Sequence, residues 1–304
     1  MDVVIVSYNS GHVLRACVEP LASLEGVKVV IVDNASSEGG LDAVEGLPVE
    51  LIRLSRNGGF AHGCNAGWRA GDAPYVLFLN PDARIDEASL ERLAAVLDQT
   101  PNASAVGPRI GRSDGMLDFS QRRFPRLRST YAQALFLHRI FPRASWSDEV
   151  IRDERAYERR GTPDWLSGAC ILVRRPALEK LGGWDDGFFM YSEDIDLCRR
   201  IRDIGDVIVF EPDARAVHEG GASAPRSSLL PILAESRLRY AVKHRSSAAA
   251  LLERAGVGLG ALSHLVVSRG GSAARRGHLS ALGVALKPLP PKPSRPVRGR
   301  EARL

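Results

Sequence analysis

Asp82 stands just past an apolar run, in the turn Asn80-Pro81-Asp82. A carboxylate held rigidly at such a place is positioned to grip a divalent cation beside a diphosphate. Asn-Pro-Asp is also ordinary turn chemistry, so the metal role gains weight only from what surrounds it. Three other apolar runs end in polar clusters: Ser7-Tyr8-Asn9, Asp33-Asn34-Ala35-Ser36 and Ser55-Arg56-Asn57. An acid after the second run of a nucleotide-binding sheet commonly meets ribose or base, which points to Asp33, although a helix N-cap with Ser36 or Ser37 competes. Asn57-Gly58-Gly59-Phe60 begins a glycine-dense turn, continuing to Asn65, that lets backbone approach a ligand closely.

A second constellation is Tyr191-Ser192-Glu193-Asp194-Ile195-Asp196-Leu197-Cys198. Ser192 suits a helix N-cap, and Leu197, Cys198 and Ile201 form the buried stripe. Asp194, four residues before Cys198, falls near that same face and points inward. Partial burial raises a carboxyl pKa toward neutrality, which makes Asp194 a candidate general base. Glu193 beside it is a weaker candidate, because the helix dipole alone favours acids there. Asp196, four residues before Arg200, is expected to make a surface pair. His218, ahead of Glu219-Gly220-Gly221, is either a metal ligand or a core histidine, and taken alone the core reading is favoured. Arg122 and Arg123, in the run Arg122-Arg123-Phe124-Pro125-Arg126, suit an acceptor carrying phosphate, or else form a solvated basic loop.

The elements that must position these residues follow from periodicity. Val3 to Val6, Val27 to Val32, Val49 to Leu54 and Tyr75 to Leu79 read as strands buried on both faces, hence a mainly parallel sheet. Ligands sit outside the carboxyl ends of such strands, so all four polar clusters line one rim. Helical spacing recurs at Val13 to Leu21, with Ser10 as N-cap, and at Ala88 to Leu97, giving βαβ units. Residues 109 to 163 read as a long Arg-rich insertion with some helix near Tyr131 to Ile140. Ala169 to Val173 and Val207 to Phe210 return as strands, with a helix from Glu193 to Ile204 between them. Further helix is expected near Leu229 to His244 and Ala248 to Val267. The expected organisation is a domain over 1–245, in halves 1–108 and 109–245, followed by a helical, basic and Pro-rich tail over 246–304.

Bulk properties narrow the class. The chain has 304 residues, 44% hydrophobic and 25% charged, with formal charge +5, as in a soluble globular protein with an anionic partner. Met1-Asp2 runs directly into the first strand, with no expected secretion signal. Val257 to Val267 is expected to be too short to cross a bilayer. Four cysteines without C-x-x-C spacing suggest reduced thiols rather than a disulfide framework or zinc knuckle. A cytoplasmic protein is expected, with the inner face of the cell membrane as the alternative place. From Arg269 onward nine Lys/Arg residues face only Glu301. That tail is expected to be disordered, and either solvated or attracted to lipid headgroups.

The motifs Val4-Ile5-Val6-Ser7-Tyr8-Asn9, Val32-Asp33-Asn34-Ala35-Ser36, Asn57-Gly58-Gly59-Phe60, Leu79-Asn80-Pro81-Asp82 and Tyr191-Ser192-Glu193-Asp194-Ile195-Asp196-Leu197 occur in that order. Together they resemble glycosyltransferase family 2, and most closely its bacterial rhamnosyltransferase-like members, over residues 2 to 245. The resemblance implies an α/β GT-A (Rossmann-like) fold and inverting transfer from a nucleoside-diphosphate sugar, with dTDP-L-rhamnose the best guess. It implies donor contacts from Ser7, Tyr8, Asn9, Asp33, Asn34, Asn57, Gly58, Asn65 and Asn80. Asp82 takes the last position of the family's D-x-D motif, with Asn80 where the first Asp often stands. His218 matches a later histidine that completes the metal site for Mg²⁺ or Mn²⁺, which reverses the core reading given above. Asp194 matches the catalytic base, with Glu193 beside it. Trp165 and Gly168 match a segment near the acceptor pocket, where a saccharide or polyprenyl-diphosphate-linked acceptor is expected.

Other classes fit less well. The first turn lacks G-x-G-x-x-G, and G-x-x-x-x-G-K-[ST] is absent, which disfavours a dehydrogenase and a P-loop NTPase. A sugar-nucleotidyltransferase should carry a Gly-rich basic signature that Ser7 to Gly11 does not supply. A non-catalytic sugar-nucleotide or nucleic-acid binding module is suggested by the basic tail. Its basic residues are not interleaved with stacking aromatics, so no nucleic-acid partner is expected.

Overall fold

Continuous Val, Ile and Leu runs make the first strands, as their period and β-branching dictate. The computed structural model describes residues 1–37, 40–220, 226–267 and 271–292. β1 (Asp2–Ser7), β2 (Lys28–Asp33), β3 (Glu50–Arg53) and β4 (Tyr75–Leu79) pair in parallel, in the order β3-β2-β1-β4. Helices α1 (Gly11–Ala22) and α2 (Phe60–Trp68) cover opposite faces of these strands. β3 departs from the expectation of burial on both faces. It is the sheet edge, with Glu50, Leu51 and Arg53 exposed.

Beyond β4 the sheet becomes mixed. It continues through β9 (Cys170–Arg174), β6 (Ala103–Gly111), β10 (Val207–His218) and β5 (Ala83–Ile85), making eight strands. β9 runs antiparallel to both β4 and β6, β10 is parallel to β6, and β5 closes the edge antiparallel to β10. The strand expected over Val207 to Phe210 runs on to His218 as one strand, β10. A register shift between Glu211 and Arg215 hides its continuity. α3 (Glu87–Gln99) is capped by Asp86, whose side chain accepts from Ser89 N. A small antiparallel pair, β7 (Gln121–Arg122) with β8 (Trp165–Leu166), sits over the rim. The insertion also holds α4 (Leu127–Ala134) and the single turn α5 (Leu137–Ile140). α6 (Arg175–Leu181) and α7 (Glu193–Asp203) follow β9.

Three helices pack at the C-terminal side: α8 (Arg226–His244), α9 (Ser247–Val267) and α10 (Gly271–Leu286). The tail expected to be disordered from Arg269 thus carries a packed helix. Small residues explain it: a Cβ on Gly277 would lie 2.4 Å from the Ser227 carbonyl oxygen, so glycine is what lets α10 approach α8. Residues 293–304 lie outside the described residues. Among the described residues α9 is the one helix long and apolar enough to cross a membrane, so Val257 to Val267 is only part of a longer apolar helix. Within it, Glu253 is fully buried and pairs with Arg237 (2.6 Å) and Arg245 (2.5 Å), which ties α9 to α8 and the segment after it.

Asp196 corrects another expectation. Its pair with Arg200 forms at 2.7 Å, but at 0% exposure, and Lys243 (2.6 Å) and His244 (2.7 Å) close on the same carboxylate. Burial opposes the charged form, yet the His244 hydrogen bond and the Arg200 and Lys243 charges hold the Asp196 pKa far below the usual range. The stabilisation is therefore present above the unfolded value near 3.9 and lost only as pH falls through the depressed folded one. Removing one member of a buried ion cluster costs about 3–5 kcal/mol. Asp196→Ala is expected to lose that much in urea unfolding at neutral pH; a change within error would show that the cluster does not clamp α7 to α8.

Candidate active site

Backbone pairing assembles the rim. Asn80 N donates to Ala169 O at 2.9 Å, and Leu79 lies opposite Cys170, so the end of β4 and the start of β9 share one edge. Ala83 lies opposite His218, which delivers the imidazole to Asp82: Nε2 is 3.2 Å from Asp82 Oδ1 and 3.2 Å from the Asn80 amide. Gly220 N also donates to Asp82 Oδ2, at 3.2 Å. On the other ring nitrogen, Asp118 Oδ2 lies 3.6 Å away. Burial lowers the His218 pKa, but Asp118 and Asp82 more than offset it and push it up to about 9. Asp82 and Asp118 are correspondingly held below the ordinary carboxylate range: for Asp82, burial opposes and the His218 hydrogen bond wins, and for Asp118 that bond dominates.

Asp194 reaches the same edge from the start of α7. Its Oδ2 accepts from Gly168 N at 3.1 Å, and Oδ1 from Ile195 N at 2.8 Å. Gly168 is two residues before Cys170, the partner of Leu79, so Asp194 and Asp82 hang from adjacent strand ends. Burial raises the Asp194 pKa above that of a free aspartate, although the backbone donors and the Arg122 charge oppose it. Glu193 is buried, with Oε2 lacking a partner, and burial followed by the Asp194 charge pushes its pKa well up. Tyr191 and Ser192 both adopt positive φ (69° and 63°), and Ser192, although at the N-cap position, makes no side-chain cap. This tight backbone is what aims Asp194 inward.

Arg122 lies opposite Trp165 in the β7–β8 pair, its guanidinium 5.4 Å from the indole centroid. Its charge acts on both Asp194 and Asp118, and its buried Nε has no hydrogen-bond partner. Trp165 is buried and donates to Arg123 O at 3.0 Å, so it supports Arg122 instead of offering an open stacking face. Arg123 N donates to Glu149 O, fixing that strand.

The residues expected to contact a donor divide. Tyr8 is 43% exposed at the rim, and the Ser7 hydroxyl is buried without a partner. Asn9, at φ 53°, accepts from Ser37 N, while Ser36 is held by Asp33. Two expectations need correction. Asn65 is buried, accepts from Trp68 Nε1 and Trp184 N, and donates to Trp184 O and Asp186, leaving nothing for a ligand. Asn34, 3% exposed, gives both amide hydrogens to the protein, to Asn57 Oδ1 (2.9 Å) and Gly59 O (3.0 Å), and accepts from Gly58 N (3.0 Å). Asn34 braces the Asn57-Gly58-Gly59 turn, and Asn65 ties the helix it opens to the Trp184 segment. Gly59 has φ 88°, and a Cβ there would meet Phe189 O at 2.1 Å, so the glycines serve a close protein contact. Asp118 was not singled out from the sequence. Its sequence signal is no stronger than that of Asp114 four residues before it, in the same arginine-rich stretch.

Among the described residues no group of three or more His, Cys, Asp and Glu side chains forms a cation cage. Asp82 and His218 supply one carboxylate oxygen and one imidazole nitrogen, a two-ligand corner that fits a cation completing its shell with diphosphate and water.

A sheet of this order, parallel from β3 to β4 and mixed beyond it, with helices on both faces and its polar rim at the β4 and β9 ends, is the GT-A glycosyltransferase architecture. Residues 2–182 match the family described as Glycosyl transferase family 2, and the chain belongs to it. It is 33% identical over 255 residues (79% of this chain, 82% of the relative) to N-acetylglucosaminyl-diphospho-decaprenol L-rhamnosyltransferase of Mycobacterium tuberculosis. It is 27% identical over 237 residues (71% and 82%) to rhamnosyltransferase WbbL of Escherichia coli. In fold it is similar to a mannosyltransferase of Pyrobaculum calidifontis in complex with GDP-Man and Mn²⁺, with TM-score 0.56, 16% identity and 93% and 85% of the two chains covered. The chain is a glycosyltransferase.

Proposed function

We propose that the enzyme transfers L-rhamnose from a nucleoside diphosphate, dTDP-L-rhamnose first, to a hydroxyl of a lipid-diphosphate-linked saccharide, in one displacement that inverts the anomeric centre. The observation that supports it most is the hanging of Asp194 and Asp82 from adjacent strand ends. The relatives' names supply the sugar and the lipid-linked acceptor. In this reading Asp194 removes the proton from the attacking hydroxyl, and its raised pKa suits that task. Tyr8, Asn9, Asp33, Asn57 and Gly58 border the nucleoside. Asp82 and His218 would hold Mg²⁺ or Mn²⁺, which when bound supplies charge to stabilise the departing diphosphate. Arg122 offers its unpartnered Nε to phosphate oxygens. Family membership sets aside the sugar-nucleotidyltransferase and non-catalytic readings.

The test is product formation across a donor panel (dTDP-rhamnose, UDP-galactose, UDP-N-acetylglucosamine, GDP-mannose) with Mn²⁺ and a polyprenyl-diphosphate-N-acetylglucosamine acceptor. Rhamnosyl product with inverted anomeric configuration by NMR is expected. Turnover with another sugar alone would overturn the donor, and a retained configuration would overturn the mechanism.

A further inference from the structure

We propose that the corner α4–α5, together with the outer side of α9 and α10, is a docking surface for an anionic phospholipid bilayer, on which the protein lies without spanning it. This goes beyond the transfer reaction and does not depend on which sugar or acceptor is used.

Three observations converge on this face. Residues 127–147 contain three arginines, and residues 254–267 with 271–292 contain five Lys/Arg, with no Asp or Glu in either stretch. The two stretches adjoin in space: Ser263 Oγ donates to Ala134 O at 2.6 Å, Phe136 lies 4.4 Å from His264 between ring centroids, and His264 stacks on His278 at 5.5 Å. Large apolar side chains stand in water on both parts. Ile140 is 68% exposed and Val266 77%, joined by Leu135, Phe141, Leu262 and Val267. Phe141 pairs with the half-exposed Trp146 at 5.5 Å, and Arg139 lies over Phe136 at 4.7 Å, so cation and apolar groups are interleaved.

Apolar side chains flanked by arginines, without acids, are what an interfacial membrane contact requires: insertion of the first, headgroup attraction for the second. A second copy is a poorer occupant. A two-fold contact would lay this face on itself, arginines against arginines with no carboxylate to pair. Spanning is also disfavoured, because α9 holds the buried Glu253–Arg237–Arg245 cluster within the domain.

The chain contains four tryptophans; Trp68, Trp165 and Trp184 are buried, so Trp146 reports on this face. The full chain is mixed with vesicles of phosphatidylcholine alone or of phosphatidylcholine with phosphatidylglycerol. Flotation and a blue shift of tryptophan emission are expected with the anionic vesicles only, both weakened by added salt. Ile140→Asp with Phe141→Asp is expected to reduce partitioning by about tenfold or more, since two apolar insertions are lost. Arg139→Glu with Arg143→Glu should reduce it similarly, and Trp146→Phe should abolish the shift while leaving flotation. Equal partitioning onto both vesicle types, or anionic binding untouched by both double variants, would overturn the proposal. So would sedimentation showing self-association abolished by those variants with no vesicle binding. The salt response of the unaltered protein keeps the test decisive if a variant folds poorly.

Discussion

Asp194→Asn is expected to lower kcat by roughly 10²-fold or more, the usual worth of a positioned general base, with donor affinity unchanged. Asparagine keeps the shape, and its carbonyl oxygen can still accept from Gly168 N, so the loop that aims the residue should persist. What is lost is the basic oxygen. The pH dependence supplies a second readout. Asp194 must be ionised to accept a proton, and burial raises its pKa, so the acid limb of kcat/KM should sit above the usual aspartate value near 4. That limb should vanish in the variant. Near-normal turnover by Asp194→Asn would remove the proton-acceptor role and leave Asp194 as a structural clasp between α7 and the Gly168 loop.

Asp82→Ala should abolish the cation-dependent part of nucleoside-diphosphate binding. Losing supporting groups around a metal commonly costs about 10–100-fold in affinity, and losing the carboxylate ligand itself should cost at least that. Calorimetry of dTDP binding with and without Mn²⁺ separates the effects. The unaltered protein should bind more tightly with the cation, and the variant should bind equally with or without it. His218→Ala provides an independent check, because the remaining carboxylates would still attract the ion without the nitrogen ligand. Unchanged Mn²⁺-dependent affinity in Asp82→Ala would place the cation elsewhere, or nowhere.

The parallel half of the sheet was legible because each strand announces itself. Val3 to Val6 and Tyr75 to Leu79 are apolar, bounded by polar turns, and separated by a helix of correct period. The second half was less so. β5 is three residues long, and β10 crosses a register shift, so neither presents a clear run. The motif residues Asp82 and Asp194 could be picked out, but the contact that joins Asp82 to His218 depends on β5 lying against β10, which no local pattern encodes. Asp118 escaped notice for the same reason, since its meaning comes only from the histidine beside it. Asn34 and Asn65 misled in the opposite sense. Amide side chains beside glycine-rich turns suggest ligand contacts, yet here they satisfy buried backbone groups. The tail misled through composition: its charge and prolines suggested disorder, whereas the Gly and Ala spacing of α10 lets it pack.

The strand order carries a consequence for biosynthesis. β9 and β10 are the last strands made, yet β9 lies between β4 and β6, and β10 between β6 and β5. Until residue 218 leaves the ribosome, the nascent chain has unpaired strand edges that invite chaperones or mispairing. Catalytic competence therefore arrives late and all at once, and a polypeptide released early would be a client for proteolysis before it could become a weak enzyme.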